Sequence, residues 1–370
     1  MPDDYGYLNA RLRAMKSRLL SRRAYGELLA RTSIDELLAI LAETPYRASI
    51  EAALSRNTGW AALRDGLRRD LTAHLGRVRA MVMDQPNSEP AQLVRILLAR
   101  WDRANLLAVL RQQIQGPAEA GGLDLLAAVG ELDETALTAL LHQPNLRAMI
   151  DLALQWQLPY AAALRQALPE MAARGDPAIL EAALDRQHAA HIEGWLNALR
   201  PSANVSLVRE VVAWERDLTN LLAALRLRQA RLREYPGGRL ARARADEALS
   251  RIWYLPGGSL PQELLAALLD EPTADRVYDI VAQTPHTGAW RPALAGWVEH
   301  GRLTELQQVL ERELTARQIA LFRADPLTIA PAIAYFAAKE NEARNVRLIA
   351  TGLVHGLSRE QVIEELNIPG

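Results

Sequence analysis

Trp101-Asp-Arg-Ala-Asn105-Leu-Leu-Ala-Val-Leu-Arg111 returns as Arg216-Asp-Leu-Thr-Asn220-Leu-Leu-Ala-Ala-Leu-Arg226, and more loosely as Asn341-Glu-Ala-Arg-Asn345-Val-Arg-Leu-Ile-Ala350. Each copy sets an acid three residues before an Asn and then runs into aliphatic residues. A second phrase stands upstream of each copy: Leu41-Ala-Glu-Thr-Pro45, Leu141-His-Gln-Pro144 and Val281-Ala-Gln-Thr-Pro285. Pro45 and Asn105 are 60 residues apart, Pro144 and Asn220 are 76 apart, and Pro285 and Asn345 are again 60 apart. The order never changes. Self-similarity of this kind marks one architectural unit used three times.

The apolar pattern around these phrases is helical. Leu37, Leu38 and Leu41, like Leu106, Leu107 and Leu110, fall three and four apart on one face of a 3.6-residue period. No run of alternating β-branched residues interrupts it, so the expected class is all-α. Helix starts are marked by Ser33 with Glu36, Ser259 with Gln262 and Ser358 with Gln361, each in capping-box spacing. Thr44-Pro45 and Thr284-Pro285 put a hydroxyl before a proline suited to a first helical turn. Breaks fall at Asp84 to Pro90, Gly116-Pro117 with Gly121-Gly122, Pro236-Gly237-Gly238 and Pro256-Gly257-Gly258. These divide the chain into repeats at 1–117, 118–231 and 232–370. A short terminal helix is expected from Ser358 onward, and an Arg-rich N-terminal extension over Tyr5 to Arg31.

Composition narrows the function. Of 370 residues 49% are hydrophobic, enough for a large core, and the net charge of −1 provides no field to gather nucleic acid or anionic lipid. Only Lys16 and Lys339 are lysines, and there is no cysteine, which removes disulfides and thiolate chemistry. The opening Met1-Pro-Asp-Asp is acidic and unlike a signal peptide. The uncharged run Pro326 to Ala338 is well short of the ~20 residues a membrane helix needs. The Arg run from Arg226 to Arg251 is broken by Glu234, Asp246 and Glu247 and lacks interleaved aromatics, so it reads as a solvated face, not an RNA platform. Neither lysine follows a Gly-rich turn, so there is no Walker loop.

Asp102/Asn105, Asp217/Asn220 and Glu342/Asn345 each share a helix face. Read structurally, the Asn bonds a neighbouring backbone and the acid pairs with a nearby group. Read chemically, the acids are catalytic. Three copies of an active site in one chain would be unusual, so the structural role is preferred. A third reading puts the acids on a shared surface that meets a partner. Asp185, His188, His191 and Glu193 could be read as metal ligands, but their spacing drifts around a helix and no second cluster completes the shell. No catalytic, cofactor or metal site is therefore expected.

The chain resembles the C subunit of the V/A-type rotary ATPases (ATP synthases), the counterpart of the d subunit in eukaryotic V-type ATPases. Tyr7-Leu-Asn-Ala-Arg11-Leu-Arg-Ala-Met-Lys16-Ser looks like the family's opening helix. Asp102-x-x-Asn105-Leu and Asp217-x-x-Asn220-Leu look like its internal repeats, and Tyr254-Leu-Pro-Gly-Gly-Ser-Leu260 like the start of its third. Lys339-Glu-Asn-Glu342-x-x-Asn345-x-Arg347-x-Ile349 through Val362 is similar to its closing signature. The second repeat departs, lacking a Thr before Pro144 and offering only Gly130-Glu-Leu132. The resemblance implies a pseudo-threefold all-α funnel on the cytoplasmic face of the membrane, peripheral and without a membrane span. Its partners would be the proteolipid subunits of the membrane rotor ring and the central-stalk subunits of the soluble sector, with no nucleic acid and no cofactor. It would couple the two mechanically, without catalysis. Arg11, Arg13, Lys16 and Arg18 and the acids Asp102, Asp217 and Glu342 are then expected near partner surfaces. The alternative is an α-helical repeat scaffold unrelated to rotary ATPases. Its period should be ~33–47 residues, which the 60/76/60 spacing does not match.

Overall fold

The computed structural model describes residues 5–115, 126–234, 254–271, 273–284 and 287–368. Among them the chain is helical and contains no strand. In order the helices are α1 (Gly6–Lys16), α2 (Arg22–Leu28), α3 (Ile34–Leu41), α4 (Arg47–Leu54), α5 (Gly59–Val82), α6 (Glu89–Gln115), α7 (Glu134–Leu141), α8 (Leu146–Gln155) and α9 (Ala161–Arg174). There follow α10 (Ala178–Ala198), α11 (Ala203–Glu234), α12 (Gln262–Asp270), α13 (Ala274–Val281), α14 (Thr287–His300), α15 (Leu303–Ala320), α16 (Ala330–His355) and α17 (Arg359–Glu365). The expected repeat boundary near 117 lies outside the described residues, and the one near 232 falls in the last turn of α11.

The chain divides into two compact units, residues 1–149 with 315–370, and residues 150–314. In the first unit α16 is the central helix. The run from Ala330 to Lys339 is buried on every side. Ile333, Tyr335 and Phe336 stand among its alanines, and α16 packs against α1, α3 and α5, as a helix apolar on every side does inside a core. This is where the uncharged run of the sequence goes. No helix among the described residues is long and apolar enough to cross a membrane. Gly356, at φ 65°, ends α16 in a left-handed turn. A full capping box between Ser358 and Gln361 then starts α17.

The two capping expectations nearer the N-terminus of their repeats are corrected. At α3, Ser33 accepts from the Glu36 N–H, but the Glu36 carboxylate reaches back to Thr32 rather than to Ser33. At α12 the N-cap is Pro261, because Ser259 is engaged by Asp217 of α11 instead. Thr44 caps a turn, taking the Tyr46 N–H at 3.2 Å and donating to Leu41 O, and α4 begins only at Arg47.

Each unit holds a core of the same construction. In the first, Val346, Ile349 and Ala350 from the second half of α16 meet Tyr25 and Leu28 of α2, Leu37, Leu38 and Leu41 of α3, Ile50 of α4 and Leu63 and Leu67 of α5. In the second, Leu221, Leu222 and Leu225 from the second half of α11 meet Leu265 and Leu268 of α12, Val277 and Val281 of α13, Trp290 and Leu294 of α14 and Leu306 and Leu310 of α15. A long helix is thus followed in space by the same succession of four elements in both cores. In the first, those four come from the opposite end of the chain.

Candidate functional site: three buried polar junctions

Asp102 lies in the middle of α6, buried, with its two oxygens accepting consecutive backbone N–H groups of the loop before α7. Oδ2 takes Glu131 N at 2.8 Å and Oδ1 takes Leu132 N at 3.0 Å. One turn on, Asn105 clamps the same loop with both ends of its amide. Nδ2 donates to Ala127 O at 2.9 Å and Oδ1 accepts from Ala127 N at 2.9 Å. The spacing of three is what brings acid and amide onto one face. Gly130 sits between these contacts, and a Cβ there would overlap the Asp102 carboxylate. Burial raises the Asp102 pKa to about 6, although the two N–H donors work in the opposite direction.

Asp217 and Asn220 of α11 repeat this arrangement on the loop before α12. Asp217 Oδ1 accepts from Leu260 N at 2.9 Å and Oδ2 from Ser259 N at 3.1 Å, with the Ser259 hydroxyl donating to Oδ2 at 2.5 Å. Asn220 donates to Leu255 O at 3.0 Å and accepts from Leu255 N at 2.9 Å. Gly258 stands where Gly130 stands, and a Cβ there would overlap Asp217 Oδ1. In both loops the residue clamped by Asn precedes the last residue held by the acid by five positions.

Glu342 and Asn345 of α16 form the third junction with segments from both ends of the chain. Asn345 donates to Asn367 O at 2.9 Å and accepts from Asn367 N at 3.1 Å. Glu342 Oε2 accepts from the backbone N–H of Leu20, just before α2. Its Oε1 accepts from the Tyr46 hydroxyl at 2.8 Å and from Lys339 Nζ at 2.6 Å. Lys339 also pairs with Asp70 Oδ2 at 2.5 Å and lies over the Tyr46 ring, 4.1 Å from its centre. Burial, then the charges of Glu342 and Asp70, push the Tyr46 phenol well up, so it remains a donor. His74, against Asp70, has its pKa lowered, first by burial and then by Lys339.

The three acids are 2%, 0% and 3% exposed, and Asn105, Asn220 and Asn345 are as deeply buried. Their polar atoms are taken up by groups of this chain: backbone at all three, with the Ser259 hydroxyl at Asp217 and the side chains of Tyr46 and Lys339 at Glu342. Arg11, Arg13, Lys16 and Arg18 are exposed, on α1 and the turn after it, while Leu8, Asn9, Leu12 and Met15 turn inward. Asn9 ties α1 to the approach to α16, donating to Pro326 O at 2.6 Å and Thr328 O at 2.8 Å. Lys16 lies 4.2 Å from the centre of the Phe322 ring. In α10, Glu193 pairs with Arg216 at 3.3 Å and also with Arg209, while His188 and His191 pack on Tyr160 and His191 also on Trp195. Aromatic stacking and ion pairing account for these residues. Among the described residues no group of three or more His, Asp or Glu could hold a metal ion.

Sequence reasoning did not find Leu20, Asn367, Tyr46 or Asp70. A numerical signal for Leu20 was present. Leu20 to Pro45 and Leu260 to Pro285 are both 25 residues, whereas Leu132 to Pro144 is 12. The short interval holds α7 alone, where the others hold α2 with α3 and α12 with α13.

The described residues are helical, and three buried acid–asparagine clamps hold segments of the chain together. The chain belongs to the ATP synthase (C/AC39) subunit family, whose model matches residues 8–365. It is similar to the C subunit of the A-type ATP synthase of Methanosarcina mazei, 27% identical over 99% of this chain and 93% of that protein. The corresponding A-type ATP synthase subunit of Halorubrum lacusprofundi is 26% identical over 98% and 97%, and that of Pyrococcus abyssi 22% identical over 97% and 89%.

Proposed function

We propose that this chain is a non-catalytic central-stalk rotor subunit of a V/A-type rotary ATPase, working on the cytoplasmic face of the membrane. It receives the lower end of the stalk of the soluble sector and seats it on the membrane ring of proteolipid subunits. Its three modules close as a pseudo-threefold funnel. The observation that carries this reading is the repeated junction. A coupling piece must transmit torque without slip, and each long helix here is joined to the next group of helices by a buried, charge-assisted clamp. Such bonds are strong and short-ranged in a low-dielectric interior. In this reading Asp102, Asn105, Asp217, Asn220, Glu342 and Asn345 are the joints of the funnel and not its partner surface. The exposed cations Arg11, Arg13, Lys16 and Arg18 are the partner-facing set.

The test is ATPase and ion-flux measurement on membranes with and without this subunit. Loss of the chain leaves ATP hydrolysis by the soluble sector intact and abolishes ion pumping. Full coupled pumping in its absence contradicts the role, and so does ATPase activity in the purified chain.

A further inference from the structure

At the first two junctions an unbroken loop runs between the residue clamped by Asn and the last residue held by the acid. Residues 128–131 fill that interval in one and 256–259 in the other. At the third, the corresponding interval lies between Asn367 and Leu20, from opposite ends of the chain. A cavity of about 440 Å³ opens beside them, with Glu342 in its wall. Its remaining charged lining is cationic: Lys16, Arg22 and Arg323, all exposed, and none with an acidic partner among the described residues. Asn341, 3% exposed, also lines the cavity. Its Nδ2 donates to Asn367 O at 2.6 Å, which fixes the amide orientation, and its Oδ1 has no donor. A buried acceptor without a donor needs an explanation.

We propose that this cavity receives an extended acidic peptide segment of a partner chain. Backbone N–H groups of the segment supply the donor that Asn341 Oδ1 lacks, and its carboxylates meet Lys16, Arg22 and Arg323. A free inorganic anion fits less well. It satisfies the cations but brings no N–H to Asn341. Recognition of acidic segments by clustered Arg, with main-chain bonds setting the register, is a common mode of peptide capture. The inference rests on the cavity, its cations and the unmet acceptor of Asn341, and stands or falls separately from the coupling role.

A probe exists in the chain itself. The loop Ala127-Ala-Val-Gly-Glu-Leu-Asp-Glu134 threads the first junction and carries three acids. A fluorescently labelled peptide of that sequence, titrated with the full-length protein, is expected to bind saturably, with salt weakening it. Arg323→Glu and Lys16→Glu change exposed side chains, and circular dichroism checks that each variant is folded. Each should weaken binding about fivefold, as should replacing the acids of the peptide by their amides. Lack of saturable binding overturns the proposal, as does affinity indifferent to both variants. Displacement by inorganic phosphate as effective as by unlabelled peptide, at matched ionic strength, makes this a general anion site and also overturns it. Binding that appears only after Pro369 and Gly370 are removed assigns the cavity to this chain's own end instead.

Discussion

At the first junction the acid is Asp, its two N–H donors come from one continuous loop, and no cation among the described residues is paired with it. At the third the acid is Glu, and the N–H it accepts belongs to Leu20, 322 residues away in sequence. The Asn clamp is the same in both, one amide on one peptide group. What differs is how the buried charge is stabilised. Asp102 relies on two consecutive N–H groups brought close by Gly130, and its raised pKa shows that this compensation is incomplete. Glu342 receives one N–H, and the deficit is met by Lys339 and the Tyr46 hydroxyl. A loop that is continuous can place two donors through its own geometry. A junction assembled from two chain ends needs a counterion, because neither end alone fixes the donor positions.

The sharpest way to break this comparison is to remove the counterion. Lys339→Met leaves Asp70 and Glu342 buried without their cation and is expected to destabilise the chain by about 3–5 kcal/mol. Lys16→Met, at the exposed lysine, should change stability by less than about 0.5 kcal/mol. Urea unfolding of the two variants checks this. Equal effects would deny the third junction its dependence on charge.

The incomplete compensation at Asp102 has a pH signature. Its folded pKa, about 6, is raised above the ordinary carboxylate value, so between about pH 4 and 6 the folded chain holds the proton more tightly than the unfolded chain. The contribution of this group to stability therefore falls as pH rises through that window and levels off above it, by up to about 3 kcal/mol. Asp65 and Glu131, whose pKa values are lowered by arginines, work the other way. The useful quantity is thus the difference between wild type and Asp102→Asn, followed by denaturant unfolding from pH 4 to 7. A difference that stays flat would contradict burial as the dominant influence on this carboxylate.

Smaller and more uniform effects are expected where the junctions agree. Asn105→Ala, Asn220→Ala and Asn345→Ala each orphan one buried N–H and one C=O and should cost about 1–3 kcal/mol. Three similar losses in thermal melts would support equivalent clamps. A loss at Asn105 and Asn220 but none at Asn345 would make the third junction incidental.

The helical class and the shared face of each acid–Asn pair were legible in the sequence because they are local and periodic. So were the capping box at Ser358 and the helix break at Pro256-Gly257-Gly258. Ser259 shows where local reading fails. Its spacing to Gln262 matches a capping box, but Asp217 claims its hydroxyl and N–H, and a buried carboxylate outweighs an exposed cap. Asn367 was illegible, and Leu20 was marked only by its 25-residue interval to Pro45, for a different reason. Both meet α16 through backbone atoms, which carry no residue-specific signature, and the two contacts span 322 and 22 residues. The burial of Asp102, Asp217 and Glu342 could not be read from the pattern either, since an acid three residues before an Asn looks the same whether it faces solvent, a partner or its own loop.

Amide hydrogen exchange on the intact chain tests most directly the claim that its two ends build the third junction. The N–H groups of Ala127, Leu132, Leu255 and Leu260 mark the continuous loops, and those of Leu20 and Asn367 mark the split one. All six lie outside helical ladders and are bonded to buried side chains, so the account predicts slow exchange at all six. Asn345→Ala should release Asn367 selectively. Exchange of Leu20 and Asn367 at the rate of open loop amides, with the other four still protected, would contradict it.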